Sequence, residues 1–252
     1  MAALAAVVLS VAVLASCSRT EPEEIPVPEG VDLEAAGEVG PSGNGLWILD
    51  GVSAAGRVID AMHAAGGGTM SGTVHEMVPV EQGDPVPGRT ISVESASDGQ
   101  NLHASLVVGD QSGELIIDGQ HVWVRGNAAF AERIGIAAAT DTATADAFVC
   151  MARGPAAITE LSTLAEPTGF LRSALSGLEI GALSPTEDQP EWQKLVLGTS
   201  GAPIGELVVA AVGAPLPQQL YVSDESGTIE AQFTWEDVPE IHAPESDVSG
   251  CE

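Results

Sequence analysis

Residues 229–236 read IEAQFTWE, and this stretch decides the fold class of the 252-residue chain. Apolar Ile229, Ala231, Phe233 and Trp235 alternate with polar side chains, which is the period-two pattern of a strand with one buried and one wet face. The same reasoning predicts further strands at 69–78, 88–97, 101–108, 113–118, 120–125, 191–199, 204–212 and 217–223. The last strand spans 227–236. We therefore expect a sheet with one covered face.

The turns between these segments indicate how the strands pair. Asp98-Gly99 and Asp118-Gly119 separate neighbouring strands. Asp-Gly pairs favour tight hairpins because their backbones tolerate positive φ. Consecutive strands should therefore pair antiparallel, as a meander.

Helical patterns occupy two parts of the chain. The first predicted helix runs from Ser53, as its N-cap, to Ala65, where Gly66 stops it. The segment between the two groups of strands is also predicted to be helical, at 128–134, 142–153, 155–165 and 168–178. This order of elements predicts an α+β protein with one curved antiparallel sheet and helices covering one face.

Composition narrows the class of protein. The apolar fraction of 44% excludes wholesale disorder. The formal net charge of −28 argues against nucleic acid as a partner, because phosphate binding needs a basic face. It also argues against simple electrostatic attachment to anionic lipid heads.

The N-terminus predicts the compartment. Residues 2–16 are uncharged and apolar, too short for a spanning helix but suited to a signal peptide. They end in LASC at 14–17, which resembles a bacterial lipobox with Cys17 as the lipidation site. An ordinary secretory signal followed by a chance cysteine is the alternative. We predict a signal peptide at 1–16, an acidic Pro/Gly-rich tether at 17–45 and one domain at 46–252.

These boundaries imply a protein held in the cell membrane by acylated Cys17, with its domain on the extracytoplasmic face. Exported proteins meet oxidising conditions, and two cysteines remain. We therefore predict a disulfide between Cys150 and Cys251, which would fasten the C-terminal tail to a helix in the middle of the domain. A buried thiol at Cys150 with a frayed tail is the alternative.

Catalytic and metal-binding motifs are not found in the sequence. There is no G-x-S-x-G, P-loop, G-x-G-x-x-G after a strand, or C-x-x-C. The five histidines are scattered and form no metal-ligand spacing. We therefore expect no catalytic residues, no metal and no cofactor, and a protein that is not an enzyme.

Several segments together resemble the actinobacterial LppX/LprG-type lipoproteins of the LolA/LolB-like superfamily. The segments that carry this resemblance are LASC at 14–17, TMSG at 69–72, DGQHVWVRGNAAF at 118–130, GELVVAAVGAPLPQQLYV at 205–222 and IEAQFTWEDVPEIHAP at 229–244. The resemblance implies a half-barrel sheet with helices on its concave face and an apolar cavity between the layers for acyl chains. It also implies a lipid or glycolipid ligand that is bound or carried across the envelope.

Inward-facing strand residues are the candidates for lining such a cavity, although ordinary core packing explains the same pattern. They are Leu106, Val108, Ile117, Val122, Val124, Leu207, Val209, Leu220, Val222, Phe233 and Trp235. The alternative function is a non-catalytic envelope lipoprotein that acts as a scaffold or sensor through contacts with an envelope protein partner.

Overall fold

The computed structural model describes residues 43–119, 121–135, 147–152, 156–185, 190–199, 201–244 and 248–249. All of them belong to one compact unit, Pro41–Glu252. The predicted signal peptide and Cys17 lie outside the described residues. The last residues of the predicted tether already contact the domain. Gly43 forms an isolated antiparallel β-bridge with Val212, and the side-chain amide of Asn44 donates a hydrogen bond to the carbonyl of Ala210 at 2.6 Å.

The described strands form one sheet. They are β1 (Gly68–Val78), β2 (Val86–Ser97), β3 (Leu102–Val108), β4 (Gln111–Asp118), β5 (His121–Gly126), β6 (Phe148–Ala152), β7 (Ile180–Pro185), β8 (Trp192–Thr199), β9 (Ala202–Ala210), β10 (Pro217–Asp224), β11 (Gly227–Thr234) and β12 (Val248–Ser249). Their spatial order is β12-β6-β5-β4-β3-β2-β1-β11-β10-β9-β8-β7. Strands β1 to β11 pair antiparallel, and the short β12 runs parallel to β6.

The topology consists of two meanders that meet at β1. The chain starts in the middle of the sheet, runs outward to β6, crosses to the far edge at β7 and returns to β11 beside β1. The sheet is curved but does not close into a barrel. The predicted α+β class with a curved antiparallel sheet is therefore confirmed.

Four helices and one 3-10 turn complete the described structure. They are the turn Leu46–Ile48 and helices α1 (Gly51–Ala65), α2 (Ala128–Arg133), α3 (Ala156–Ala165) and α4 (Pro167–Leu175). The prediction of Ser53 as the N-cap of α1 was wrong. Asp50 caps the helix, and its carboxylate accepts hydrogen bonds from the Ser53 backbone N–H at 2.9 Å and hydroxyl at 2.7 Å. Gly66 ends α1 with a φ of 75°, as predicted.

The predicted helix at 142–153 is also wrong where the structure describes it. Residues 148–152 form β6, which pairs antiparallel with β5, so that Cys150 lies opposite Trp123 and Val149 opposite Val124. Phe148 and Val149 favour a strand. Pairing with β6 also satisfies the backbone groups of β5, which would otherwise be unpaired at the edge of the sheet. Cys150 therefore lies on a strand and not on a helix.

Each face of the sheet carries a cluster of buried apolar side chains. On the inner face, the sheet packs against Val58 and Met62 of α1, Leu161 of α3 and Leu171 of α4 in the main core. A smaller core lies on the outer face. There the segment after β11 places Ile241, with 7% of its surface exposed, in a cluster of residues from β2, β4, β5 and β6. The C-terminal segment therefore covers part of the outer face.

Candidate functional site

A cavity of about 460 Å³ opens at one end of the inner layer. It lies where α1 ends, where α3 meets α4, and where the turn between β2 and β3 approaches both. Strand ends and helix ends supply its walls, so residues far apart in sequence meet there.

The floor of the cavity is apolar. Met62, Leu102 and Ile117 line it and are buried, and the half-buried indole of Trp235 completes the wall. The Trp235 ring is held by a hydrogen bond from its N–H to the Pro217 carbonyl at 2.6 Å. It also lies against Gly68, where an added Cβ would approach the ring to 2.8 Å. The glycine therefore provides the space that the indole occupies.

The rim of the cavity is polar. An Arg172 guanidinium nitrogen lies 2.9 Å from Nε2 of His63, across the gap between α4 and α1. Glu166 also lines the cavity, and its carboxylate accepts a hydrogen bond from the Gly169 N–H, which caps α4. The site thus joins an apolar interior to a mouth that carries a cation.

The turn between β2 and β3 forms another part of the rim, and Asp98 holds its shape. One carboxylate oxygen accepts hydrogen bonds from the backbone N–H groups of Gln100, at 2.9 Å, and Asn101, at 2.7 Å. Partial burial alone would raise the pKa of Asp98, but these hydrogen bonds, with one from the Asn101 side chain, outweigh it and hold the pKa below its usual value. Gly99 adopts a φ of 86° in this turn.

We expect Asp98→Asn to lower the free energy of unfolding by on the order of 1 kcal/mol at pH 7, because a charged acceptor of three hydrogen bonds is lost. A lowered pKa in the folded state means that ionised Asp98 stabilises the fold above its unfolded pKa. That contribution disappears as the pH falls through the folded pKa. Urea unfolding at pH 7 and at about pH 3 measures the difference.

The exposed Asp84, in the loop between β1 and β2, offers the control variant Asp84→Asn. It should change the unfolding free energy little at either pH. A cost of Asp98→Asn that is the same at both values of pH would contradict the assigned role of the ionised carboxylate.

The structure brings only two of the eleven predicted cavity residues, Ile117 and Trp235, to this cavity. The other nine are buried in the strands, packed as core: Leu106, Val108, Val122, Val124, Leu207, Val209, Leu220, Val222 and Phe233. Sequence reasoning missed Met62, Leu102 and Arg172. Their helix and strand positions were visible in the pattern, but nothing local indicated that these positions converge.

A second depression of about 430 Å³ lies over β8 to β11. A bulge in β10 between Pro217 and Gln219 leaves two consecutive exposed side chains, Gln218 and Gln219, at its edge. The Lys194 ammonium pairs with Glu206 at 3.0 Å in the same depression. This surface is polar, which separates it in character from the cavity of the inner layer.

The described part of the chain offers neither a metal-binding cluster nor a membrane-spanning helix. No three His, Cys, Asp or Glu side chains there are grouped so that they could hold a metal ion. No helix in the same residues is long and apolar enough to cross a membrane.

Comparison with known proteins adds little to this geometry. No family model matches the chain, and no curated protein matches it. Among solved structures, LprF from Mycobacterium bovis is similar at 9% identity with a TM-score of 0.36, over 78% of this chain and 99% of that one. MucB, in a complex with MucA(peri), is similar at 12% identity with a TM-score of 0.29, over 80% of this chain and 60% of that one. At these values neither likeness supports an inference about function.

Proposed function

We propose that this protein is a non-catalytic envelope lipoprotein of the LppX/LprG type that binds or carries a lipid or acylated ligand in the cavity of its inner layer. The observation that carries the proposal is the cavity itself, because its floor is apolar and its volume of about 460 Å³ falls in the usual range for small-molecule sites. Its opening among the ends of three helices and the turn between β2 and β3 gives an acyl chain a way in.

Burial of apolar surface supplies the binding energy in this proposal. An acyl chain in contact with Met62, Leu102 and Ile117 would be removed from water, at roughly 25 cal/mol for each Å² buried. The ligand needs no bond to be made or broken. Binding therefore requires shape and an apolar wall, and no catalytic group.

Anchoring is a separate part of the proposal. The apolar segment 2–16 and the LASC motif support cleavage before Cys17 and acylation of its thiol, which would place the domain on the extracytoplasmic side of the cell membrane. The order of elements and the segments quoted above support the LppX/LprG type.

The proposal includes a disulfide between Cys150 and Cys251. Strand β12 supports it, because Val248 lies opposite Phe148 and Ser249 opposite Val149 in a parallel pair. The chain therefore approaches β6 two residues before Cys251 in sequence. Cys150 lies in β6 and is 5% exposed.

One observation favours the alternative function, a scaffold or sensor that contacts an envelope protein. Four large apolar side chains are exposed within six residues at the start of the domain, namely Trp47 at 43%, Ile48 at 69%, Leu49 at 36% and Val52 at 70%. Exposed apolar patches of this kind mark interaction sites. If the domain proves empty of lipid while the double variant Ile48→Ser and Val52→Ser loses an envelope partner, this alternative replaces the first.

Native mass spectrometry tests ligand binding directly. A soluble form that begins at Pro41 contains the compact unit and both cores. We expect lipid to co-purify with it, or a fluorescent fatty acid to bind when the lipid has been removed. A protein that contains no lipid on purification and takes up no fatty acid would refute the lipid-binding proposal.

We expect Ser162→Trp to weaken fatty-acid binding at least tenfold. Ser162 lines the cavity from α3 and is not part of the buried core, so an indole at this position fills ligand space without replacing a core side chain. Fluorescence titration of the soluble form measures the loss.

Glu160→Trp is the matched control, because Glu160 is exposed on the same helix and does not line the cavity. Its 3.8 Å ion pair with Arg133 is at the surface and contributes little to stability. Equal binding by the two variants would show that the ligand does not occupy this cavity.

A further inference from the structure

Arg172 occupies a distinctive position at the mouth of the cavity. It lies on α4, is exposed, and lines the cavity. A guanidinium always donates, so the 2.9 Å contact with His63 makes Nε2 of the imidazole the acceptor. One N–H of Arg172 is thereby held in place by α1, while a guanidinium has five N–H donors in all.

Among the described residues, Arg172 differs from most of the other basic residues because it forms no ion pair. Six of the eight Lys and Arg residues lie in the described part of the chain. Four of these six pair with glutamates, in the pairs Arg89–Glu76, Arg125–Glu114, Arg133–Glu160 and Lys194–Glu206. Within the described residues, Arg172 and Arg57 have no carboxylate at ion-pair distance, although acids outnumber bases by 36 to 8 in the whole chain.

Only one of those two arginines faces the cavity. Arg57 is exposed on α1 and does not line it, whereas Arg172 is the one Lys or Arg among the described residues that do. The acid at the rim, Glu166, directs a carboxylate oxygen to the Gly169 N–H at the start of α4 and forms no ion pair with Arg172. Arg172 therefore presents a guanidinium that is not ion-paired with any described residue, beside an apolar interior.

A guanidinium in this setting is suited to one class of partner. Its planar fork matches the two oxygens of a carboxylate or phosphate, and such charge-assisted pairs are stronger than neutral hydrogen bonds. His63 limits the rotation of the side chain, which reduces the entropy lost when an anion binds. An acyl chain on Met62, Leu102 and Ile117 would leave its head at this rim.

We infer that the ligand is an anionic amphiphile, whose apolar chain fills the cavity and whose carboxylate or phosphate head is held by Arg172. This inference rests on the proposed lipid-binding function and adds the chemistry of the head group. His63 is a positioning residue in this arrangement, because it orients the guanidinium and carries no charge to the ligand when it accepts the hydrogen bond.

Three probes with the same apolar chain separate head group from tail. They are oleate, oleoyl lysophosphatidate and oleyl alcohol, each titrated below its aggregation limit against the soluble form that begins at Pro41. We expect the two anions to bind at least tenfold more tightly than the alcohol. A preference for only one of the two anions would identify carboxylate or phosphate as the natural head.

Arg172→Gln should remove the preference for the anions while leaving the affinity for oleyl alcohol within twofold, because Arg172 is exposed and contributes no core packing. Arg172→Lys should keep part of the preference, because the lysine ammonium retains the positive charge but lacks the planar fork of the guanidinium. Arg57→Gln is the matched control, since it removes the same charge from a helix that also borders the cavity but at a position outside it. It should keep the wild-type preference.

The possible failures can be told apart. Equal binding of all three probes by the wild type would overturn the anionic head and leave lipid binding intact. An equal loss of preference in Arg57→Gln and Arg172→Gln would also overturn it, because the effect would then be one of net charge. Failure of every probe to bind would overturn lipid binding itself, and the inference would fall with it.

Discussion

Replacing Phe130 by alanine is expected to lower the free energy of unfolding by about 3–5 kcal/mol. Phe130 is 1% exposed and belongs to the main core. Its ring lies against two glycines of neighbouring strands. A Cβ added at Gly113 would approach the ring to 2.2 Å, and one at Gly126 to 2.6 Å. The ring therefore joins the short helix α2 to β4 and β5, and its removal leaves a cavity that the strands cannot close.

A double-mutant cycle with Gly113 gives the sharpest version of this test. Gly113→Ala alone should destabilise the protein, since the three atoms nearest to the added Cβ all belong to the Phe130 ring. With the ring absent, the same methyl group enters empty space. The double variant should therefore be less destabilised than the sum of the two single variants, by at least 0.5 kcal/mol.

Urea unfolding of the soluble form measures all four proteins of the cycle. Ala128→Gly, a change at the exposed start of the same helix, serves as a check on helix propensity alone and should cost about 1 kcal/mol or less. Strict additivity of Phe130→Ala and Gly113→Ala would contradict the contact between the ring and the glycine.

Breaking the proposed bridge between Cys150 and Cys251 should have an effect of comparable size. It would close a loop of about 100 residues, for which the chain-entropy treatment gives a stabilisation of up to about 4–5 kcal/mol. The soluble form that begins at Pro41 contains these two cysteines and no other, which removes Cys17 from the measurement. We expect its intact mass to rise by about 2 Da on reduction, and its melting temperature to fall.

Cys251→Ser is the appropriate variant, because it leaves the buried side chain at Cys150 unchanged. It should match the melting temperature of the reduced wild type and should not respond to a reductant. An unchanged mass on reduction would refute the bridge. A mass change with an unchanged melting temperature would show that the C-terminal segment contributes nothing to stability.

The strand predictions agree best with the structure where apolar and polar residues alternate most clearly in the sequence. Strand β3 alternates between buried and exposed positions along its whole length, and β11 does so over its last five residues; both were predicted to within two residues of their bounds. The segment that became β6 has no alternation to distinguish it from a helix, and the partner strand β5 decided its conformation. Strand β7 was missed for the same reason, since it is defined by pairing with β8.

The candidate site was predicted less well than the fold. Alternation identified eleven inward-facing residues, of which ten are buried and Trp235 is half-buried. It does not distinguish a residue that touches another side chain from one that touches empty space. Of the eleven residues predicted to line a cavity, only Ile117 and Trp235 reach it, because it lies at the end of the layer and not along its middle.

Local chemistry was thus sufficient for the α+β class, the antiparallel meanders and most strand bounds, because side-chain alternation and Asp-Gly turns act over a few residues. The cavity and the cation at its mouth depended on long-range packing. Met62, Leu102 and Arg172 belong to three different elements, and only the way in which α1 and α4 lie on the sheet brings them to one place. Contacts of that kind have no signature in a short stretch of sequence.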